Sequence, residues 1–384
     1  MEKIQINATR LQWCCDSLEI DINYLAKTIK IATDTLEKAM ENKAVLSVTQ
    51  LEKIAKFFKR NLLFFLDPSD VKEEKIYSIQ FRTINNQEPI HSPKLRAFIE
   101  GIEKQRKTYL QLSEDLNEPI EEEWKSKLIL NRQNIKQISA DIRKWLTLPL
   151  KYTFEDMRQA IENKGIMVFI SNGYNGKWQI ERNEQVRGFS LYYDILPIIV
   201  IRKQASIGAQ AFTLMHELAH LLLHKESSMD NEESFHSYKG KEKEANEFAG
   251  NLLIPDDFLS QINITKLQSL KISEYDNYLK KFKDAWCVSG EAILVRLLTS
   301  NQISNSIYQD YRSYKKMQAE KSEQRVQAPI PRNYRYREPI KMFGRPFVYA
   351  VFDALHNKKI TLAKSSTYLD NLKISDIRKL EQYV

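Results

Sequence analysis

The period of the apolar positions changes along the chain, and each change marks a change of element. Leu11, Leu18, Leu25, Ile29, Leu36, Leu51, Ile54, Ala55 and Phe58 fall on one face of short helical stretches, which predicts four or five short helices between residues 11 and 67. Ser47-Val-Thr-Gln50 has the spacing of a capping box, so one helix starts there and runs to about Phe58. Residues 71–148 are charged and helix-rich. Pro93 after Ser92 opens one helix of that stretch, and Pro119 followed by Glu121, Glu122 and Glu123 suits the first turn of another. Thr153-Phe-Glu-Asp156 caps the next helix, which Gly165 ends.

There the period shortens. Ile166–Ser171, Gly188–Tyr193 and Pro197–Ile201 are short runs rich in branched and aromatic residues, predicting two or three strands, the last of them buried. Helical spacing returns from about Ser206 to His224 and from about Lys241 to Leu253, where Pro255 closes it, with a polar loop between. Beyond Ser289 the pattern stays helical, and Phe347, Val348, Val351, Phe352 and Leu355 give the tail an apolar face. No repeat of fixed period occurs. The predicted class is mainly α with a small β-sheet (α+β). Its parts are a helical bundle over 1–68, a helical spacer over 69–152, an α+β domain over 153–300, and a basic linker with a small helical region over 301–384.

Composition narrows the setting. A chain of 384 residues accommodates two or three domains. No apolar stretch approaches the roughly 18 residues of a membrane span, and Met1 to Trp13 lacks a leader pattern, so a soluble, unexported protein without a membrane partner is expected. Of three cysteines, Cys14 and Cys15 are neighbours that would bridge only with strain, which leaves Cys287 as the one distant partner and suits a reducing cytoplasm. The net charge of +8 is concentrated. Between Tyr311 and Arg345 ten basic residues face three acidic ones, with Tyr311, Tyr314, Tyr334 and Tyr336 interleaved. That composition fits a solvated linker, or an acidic or nucleic-acid partner whose phosphates meet cations while its bases stack on rings.

The sharpest chemical signal is His216-Glu217-Leu218-Ala219-His220. Residues four apart share a helix face, so two imidazoles can reach one ion, about 2 Å from each. Glu217 borders the same ion, where a base for activated water belongs. The second helix offers Glu242 or Glu244 as a third ligand, leaving one position open for water. Asn246, four residues after Glu242 and on its face, favours Glu242 because it can hydrogen-bond a ligand histidine. His224 continues the four-residue series, but one helix rarely directs three side chains at one ion, so it is read as a surface or supporting group. His236 and Tyr238, in the loop between the helices, are candidate donors to a transition-state oxyanion, against the plainer reading of an ordinary loop.

Taken together, Pro197–Ile201, Ala209–His224, Glu242–Ala249 and Leu252–Pro255 resemble the ImmA/IrrE-type metallopeptidases. Phe81-Arg-Thr83 and Ser289–Ile293 resemble further pieces of the longer members, which carry a helix-turn-helix in front. The resemblance implies a gluzincin-like α+β fold, one zinc ion per chain held by two histidines and a glutamate, and cleavage of a regulatory protein inside the cell. In mobile-element members the implied substrate is a partner repressor. Other members are similar to halves of toxin-antitoxin or phage-defence pairs, and some are better known as regulators.

Ile22–Lys30 and Thr33–Glu41 fit the two helices of a helix-turn-helix that resembles the XRE, or Cro-repressor, class. Thr33, Asp34, Thr35, Lys38 and Asn42 would then face double-stranded DNA, and a homodimer would pair two half-sites. Residues 22–43 carry four lysines against three acids, a weak excess for binding phosphates. The same pair of helices is therefore also read as a protein-binding module. Two function classes follow: a zinc endopeptidase acting on a repressor or antitoxin-like protein, and a DNA-binding regulator or sensor whose metal site is not proteolytic.

Overall fold

Ile198, Ile199, Val200 and Ile201 are all completely buried, as an apolar run covered on both faces must be. They form β3 of a four-stranded sheet whose other members are β1 (Met167–Ile170), β2 (Val186–Leu191) and β4 (Ser228–Asn231), in the order β1-β3-β2-β4. β1 runs parallel to β3, while β2 is antiparallel to both β3 and β4. In this computed structural model the described residues are 3–16, 18, 20–58, 60–69, 93–120, 124, 134–149, 151–171, 176, 178–181, 184, 186–204, 206–231, 240–322 and 332–384. The helix expected from Glu121 to Glu123 and the Phe81–Thr83 motif lie outside them.

The chain is mainly helical around this small mixed sheet, the α+β class expected from the pattern. It divides into two compact units: residues 1–103 with 180–183, and residues 104–179 with 184–384. In the first unit, helices Ala8–Asp16, Ile22–Ile29, Thr33–Met40, Val48–Phe58 and Leu62–Leu66 enclose a core of Leu11, Leu25, Leu36, Leu51, Ile54 and Phe65. The Ser47/Gln50 box forms in both directions: Ser47 Oγ accepts from the Gln50 amide at 3.2 Å, and Gln50 Oε1 accepts from the Ser47 amide at 2.8 Å. Cys14 and Cys15 are buried free thiols, both pushed up to about 12, chiefly by burial, and are chemically quiet there.

In the second unit the helix Ile207–Ala219 lies against β2 and β3 on one side and the helix Gly240–Leu253 on the other. Ser206 caps the first by accepting from the Ala209 amide. At its end the winding loosens to a π-turn over His220–His224, and Lys225 stops it in the left-handed region at φ 53°. The helix Ile135–Trp145 packs on the outer side of Gly240–Leu253, where Ser139 donates to the Phe248 carbonyl and Arg143 to that of Leu252. C-terminal helices Glu338–Phe343 and Arg345–His356 pack together and cover β1 through Phe343, whose ring meets those of Phe169 and Trp178 at 6.0 and 5.0 Å. Tyr311, in the basic segment, is buried, stacked on Tyr275 and donating to Asp276 Oδ1 at 3.0 Å.

One buried ion pair gives this unit a pH dependence. The reciprocal Thr153/Asp156 capping box starts the helix Phe154–Glu162, which places Arg158 at zero exposure. Arg158 donates to Glu162 at 2.9 Å and to the carbonyls of Lys341 and Val168. Burial outweighs the guanidinium and pushes Glu162 up to about 7 from 4.5. A carboxyl raised in the folded state contributes stability that is full below pH 4.5 and is lost as pH rises through about 7. Between pH 5 and 8, thermal unfolding of the wild type should therefore lose on the order of 3 kcal/mol relative to Glu162→Gln. Parallel Tm-versus-pH curves for the two proteins would rule this out.

Candidate metal centre

The helical winding of Ile207–Ala219 and its continuation into the π-turn bring His216 and His220 to one face, with Nε2 atoms 3.1 Å apart and side chains at 0% and 1% exposure. The facing helix Gly240–Leu253 brings Glu242 in its first turn: Oε2 lies 3.3 Å from His216 Nε2 and Oε1 3.4 Å from His220 Nε2. Of the two acidic candidates, Glu242 is in the cluster. Glu244 is half-exposed and pairs with His224 Nε2 at 3.1 Å. His224 Nδ1 in turn sits 2.9 Å from His220 Nδ1. If His220 Nε2 faces the cluster, its Nδ1–H donates to His224, whose Nε2–H donates to Glu244. This chain of contacts fixes the ring of His220 from behind. Asn246 is half-buried one turn beyond Glu242.

A fourth group was not anticipated. Asp230, completely buried on β4, places Oδ2 3.3 Å from His216 Nε2 and 3.4 Å from His220 Nε2. Its position follows from the sheet register: Ser228 pairs with Ser190 and Asp230 with Gly188 across β2 and β4, so Ser228 and Asp230 share a face. A Cβ on Gly188 would stand 2.5 Å from Thr213 Cγ2 and 2.8 Å from Glu217 Oε1. The glycine therefore lets the helix close onto the sheet at Glu217. Ser228 Oγ donates to Glu217 Oε2 at 3.2 Å and contacts Ser190 Oγ at 2.9 Å.

Charge in this pocket is tightly constrained. Burial disfavours the charged form of His216, but the carboxylates of Asp230 and Glu242 outweigh it and raise it to about 9. Burial, with help from neighbouring His216 and His224, takes His220 down to about 3 against the pull of Asp230. Burial and then the Asp230 carboxylate drive Glu217 well above its ordinary value. Burial likewise raises Glu242 against the opposing effect of His216. For Asp230, burial acts upward, but His216 and His220 hold its carboxyl below the usual carboxylate range.

His216, His220, Asp230 and Glu242 could hold a metal ion: one ligand atom of each lies within 4.8 Å of all the others. Both oxygens of Asp230, both of Glu242 and Oε1 of Glu217 are buried without a hydrogen-bond partner among the described residues. Buried carboxylate oxygens are costly in that condition, and a divalent cation removes the cost. Imidazole with carboxylate is a donor set that zinc accepts. A cavity of about 800 Å³ is lined in part by Phe212, Thr213 and Asn246, which sit on the two helices that carry the cluster, though no cluster residue is in its lining. Sequence-predicted His236 and Tyr238 lie outside the described residues. In the first unit Asp34 and Lys38 are exposed and pair with each other at 2.7 Å, Thr33 and Thr35 are half-buried, and exposed Asn42 accepts from the Ala8 amide at 3.1 Å.

No curated protein matches the chain. Residues 161–298, the span that carries all four strands, both facing helices and every residue of the cluster, match the Peptidase M78 family model, described as the IrrE N-terminal-like domain, and so are similar to metallopeptidases of the ImmA/IrrE type.

Proposed function

We propose that this protein is a cytoplasmic zinc-dependent endopeptidase that cleaves a regulatory protein, a cognate repressor or an antitoxin-like partner. The observation that carries the reading is the convergence of His216, His220 and Glu242 from two facing helices, with Glu217 buried beside them, inside the segment that matches a peptidase family. Zinc, when bound, polarises a substrate carbonyl and makes water acidic enough to act near neutral pH. The chain's own part is to hold and position. His216, His220 and Glu242 hold the ion, and the contacts of His224 and Glu244 keep the His220 ring in one orientation. Glu217, oriented by Ser228, takes the proton from attacking water at its carboxylate and returns it to the leaving amine. Asn246 supports the ligand face from the next turn of the Glu242 helix, and the cavity beside Phe212 and Thr213 offers room for an extended segment of a protein substrate.

The test is to incubate the zinc-loaded protein with the products of its neighbouring genes. A discrete fragment of one partner, suppressed by a chelator and restored by added zinc, is the expected result. Intact partners in the presence of bound zinc would remove the endopeptidase reading.

Asp230 favours a second reading, because a fourth protein donor is the mark of a structural metal site. In that case the protein is a regulator or sensor that uses helices Ile22–Ile29 and Thr33–Met40 to bind double-stranded DNA or a protein. It predicts bound zinc, a salt-sensitive DNA complex and no proteolysis.

A further inference from the structure

The geometry points to Asp230 as a fourth protein donor to the metal, one that closes the centre to outside ligands in this conformation. The inference rests on the metal-centre reading above and extends it to a residue on the sheet edge.

Distance is the first support. Donor atoms about 2.0–2.2 Å from an ion at tetrahedral angles stand about 3.3–3.6 Å apart. The separations around the pocket are 3.1 Å between the two imidazoles, 3.3 and 3.4 Å from Asp230 to each of them, and 3.3 and 3.4 Å from Glu242 to each. Asp230 is thus placed like Glu242, toward the same two nitrogens.

Charge is the second. Two neutral imidazoles with two carboxylates bring a divalent ion to zero net charge in a pocket where every donor is at 2% exposure or less. Without Asp230 the set would carry +1 in that pocket, and without the ion the two carboxylates face the imidazole nitrogens at 3.3 and 3.4 Å with none of their oxygens hydrogen-bonded among the described residues.

The fold supplies the third. Among the described residues β4 is an edge strand paired with β2, and its two polar residues Ser228 and Asp230 are buried. Ser228 and Asp230 point to one face because of the strand period, and the absent side chain of Gly188, across from Asp230, lets the helix that carries His216 and Glu217 close onto that face of the sheet. With four protein donors in place, the position that a catalytic centre keeps open is taken by a side chain, so hydrolysis at this centre requires Asp230 to give up that position to the water beside Glu217.

The test uses Co²⁺ as the metal probe and acetohydroxamate as the outside ligand, on the full-length wild type, Asp230→Ala and the near-isosteric Asp230→Asn. Chelator competition should show Co²⁺ affinity falling at least roughly 10- to 100-fold in Asp230→Ala, the loss that removing even a supporting partner of a ligand produces. Acetohydroxamate should change the visible Co²⁺ spectrum of Asp230→Ala at concentrations at least about tenfold below those the wild type needs. Asp230→Asn guards against misfolding, because it keeps the shape and removes the charge, and it should shift both readouts in the same direction. Equal affinity and equal acetohydroxamate response in the wild type and Asp230→Asn would overturn the assignment of Asp230 while leaving the His216, His220 and Glu242 centre standing. Absence of Co²⁺ binding by the wild type itself would overturn both.

Discussion

Glu217→Gln should keep one zinc ion per chain and slow cleavage of the partner protein by about 10²- to 10⁴-fold. The amide keeps the volume and the planar shape of the carboxyl group, so the close approach over Gly188 and the contact with Ser228 survive. What it lacks is a site that accepts a proton from water. The substitution also removes an acid from beside Asp230, whose carboxylate already drives Glu217 upward, so Tm should not fall. The measurement is paired: metal content by mass spectrometry and fragment formation by gel. Retained zinc with full cleavage would show that Glu217 is not the base. Loss of zinc would show that it is a ligand.

The sequence made the two histidines and Glu242 readable because a helix converts spacing into direction. Four residues are one turn, and the element that carries them is long enough to be recognised from its apolar face. The pairing of Glu244 with His224 was not readable, since the choice between two carboxylates two positions apart depends on how two helices face each other. Asp230 was hidden for a different reason. Its strand is four residues long and polar, and its only sequence sign is the alternation of Ser228 and Asp230 around Met229. That alternation acquires meaning through the register with Gly188 and Ser190, a contact some forty residues away along the chain.

Charge counting failed similarly at the other end. Tyr311 and Lys315 read as part of a basic, aromatic segment, yet both bond to Asp276, which belongs to the helix Tyr275–Trp286. A local tally cannot see an acid that arrives from another element. The apolar tail, by contrast, was legible: Phe347, Val348, Val351 and Phe352 are buried as their helical spacing requires.

Zinc itself should act as a large stabiliser of the second unit, and the ligand variants should separate its holders from their neighbours. Binding to the folded state alone adds about 4 kcal/mol when free zinc exceeds its dissociation constant a thousandfold. At roughly 2–4 °C per kcal/mol for a domain of this size, the metal-loaded protein should melt on the order of 10 °C above the chelated one. His216→Ala should abolish that difference, and it should also lower the baseline. It removes the imidazole that faces both Asp230 and Glu242, leaving buried carboxylates whose lost partner costs about 3–5 kcal/mol. Glu242→Gln should also lose most of the zinc-dependent shift, whereas Glu244→Gln, altering a half-exposed group that touches only His224 in this network, should retain it. A zinc shift that survived His216→Ala, or vanished in Glu244→Gln but not in Glu242→Gln, would place the ion elsewhere in the fold. Since the readout is a melting temperature rather than a rate, it decides where the metal is held even before any substrate has been found.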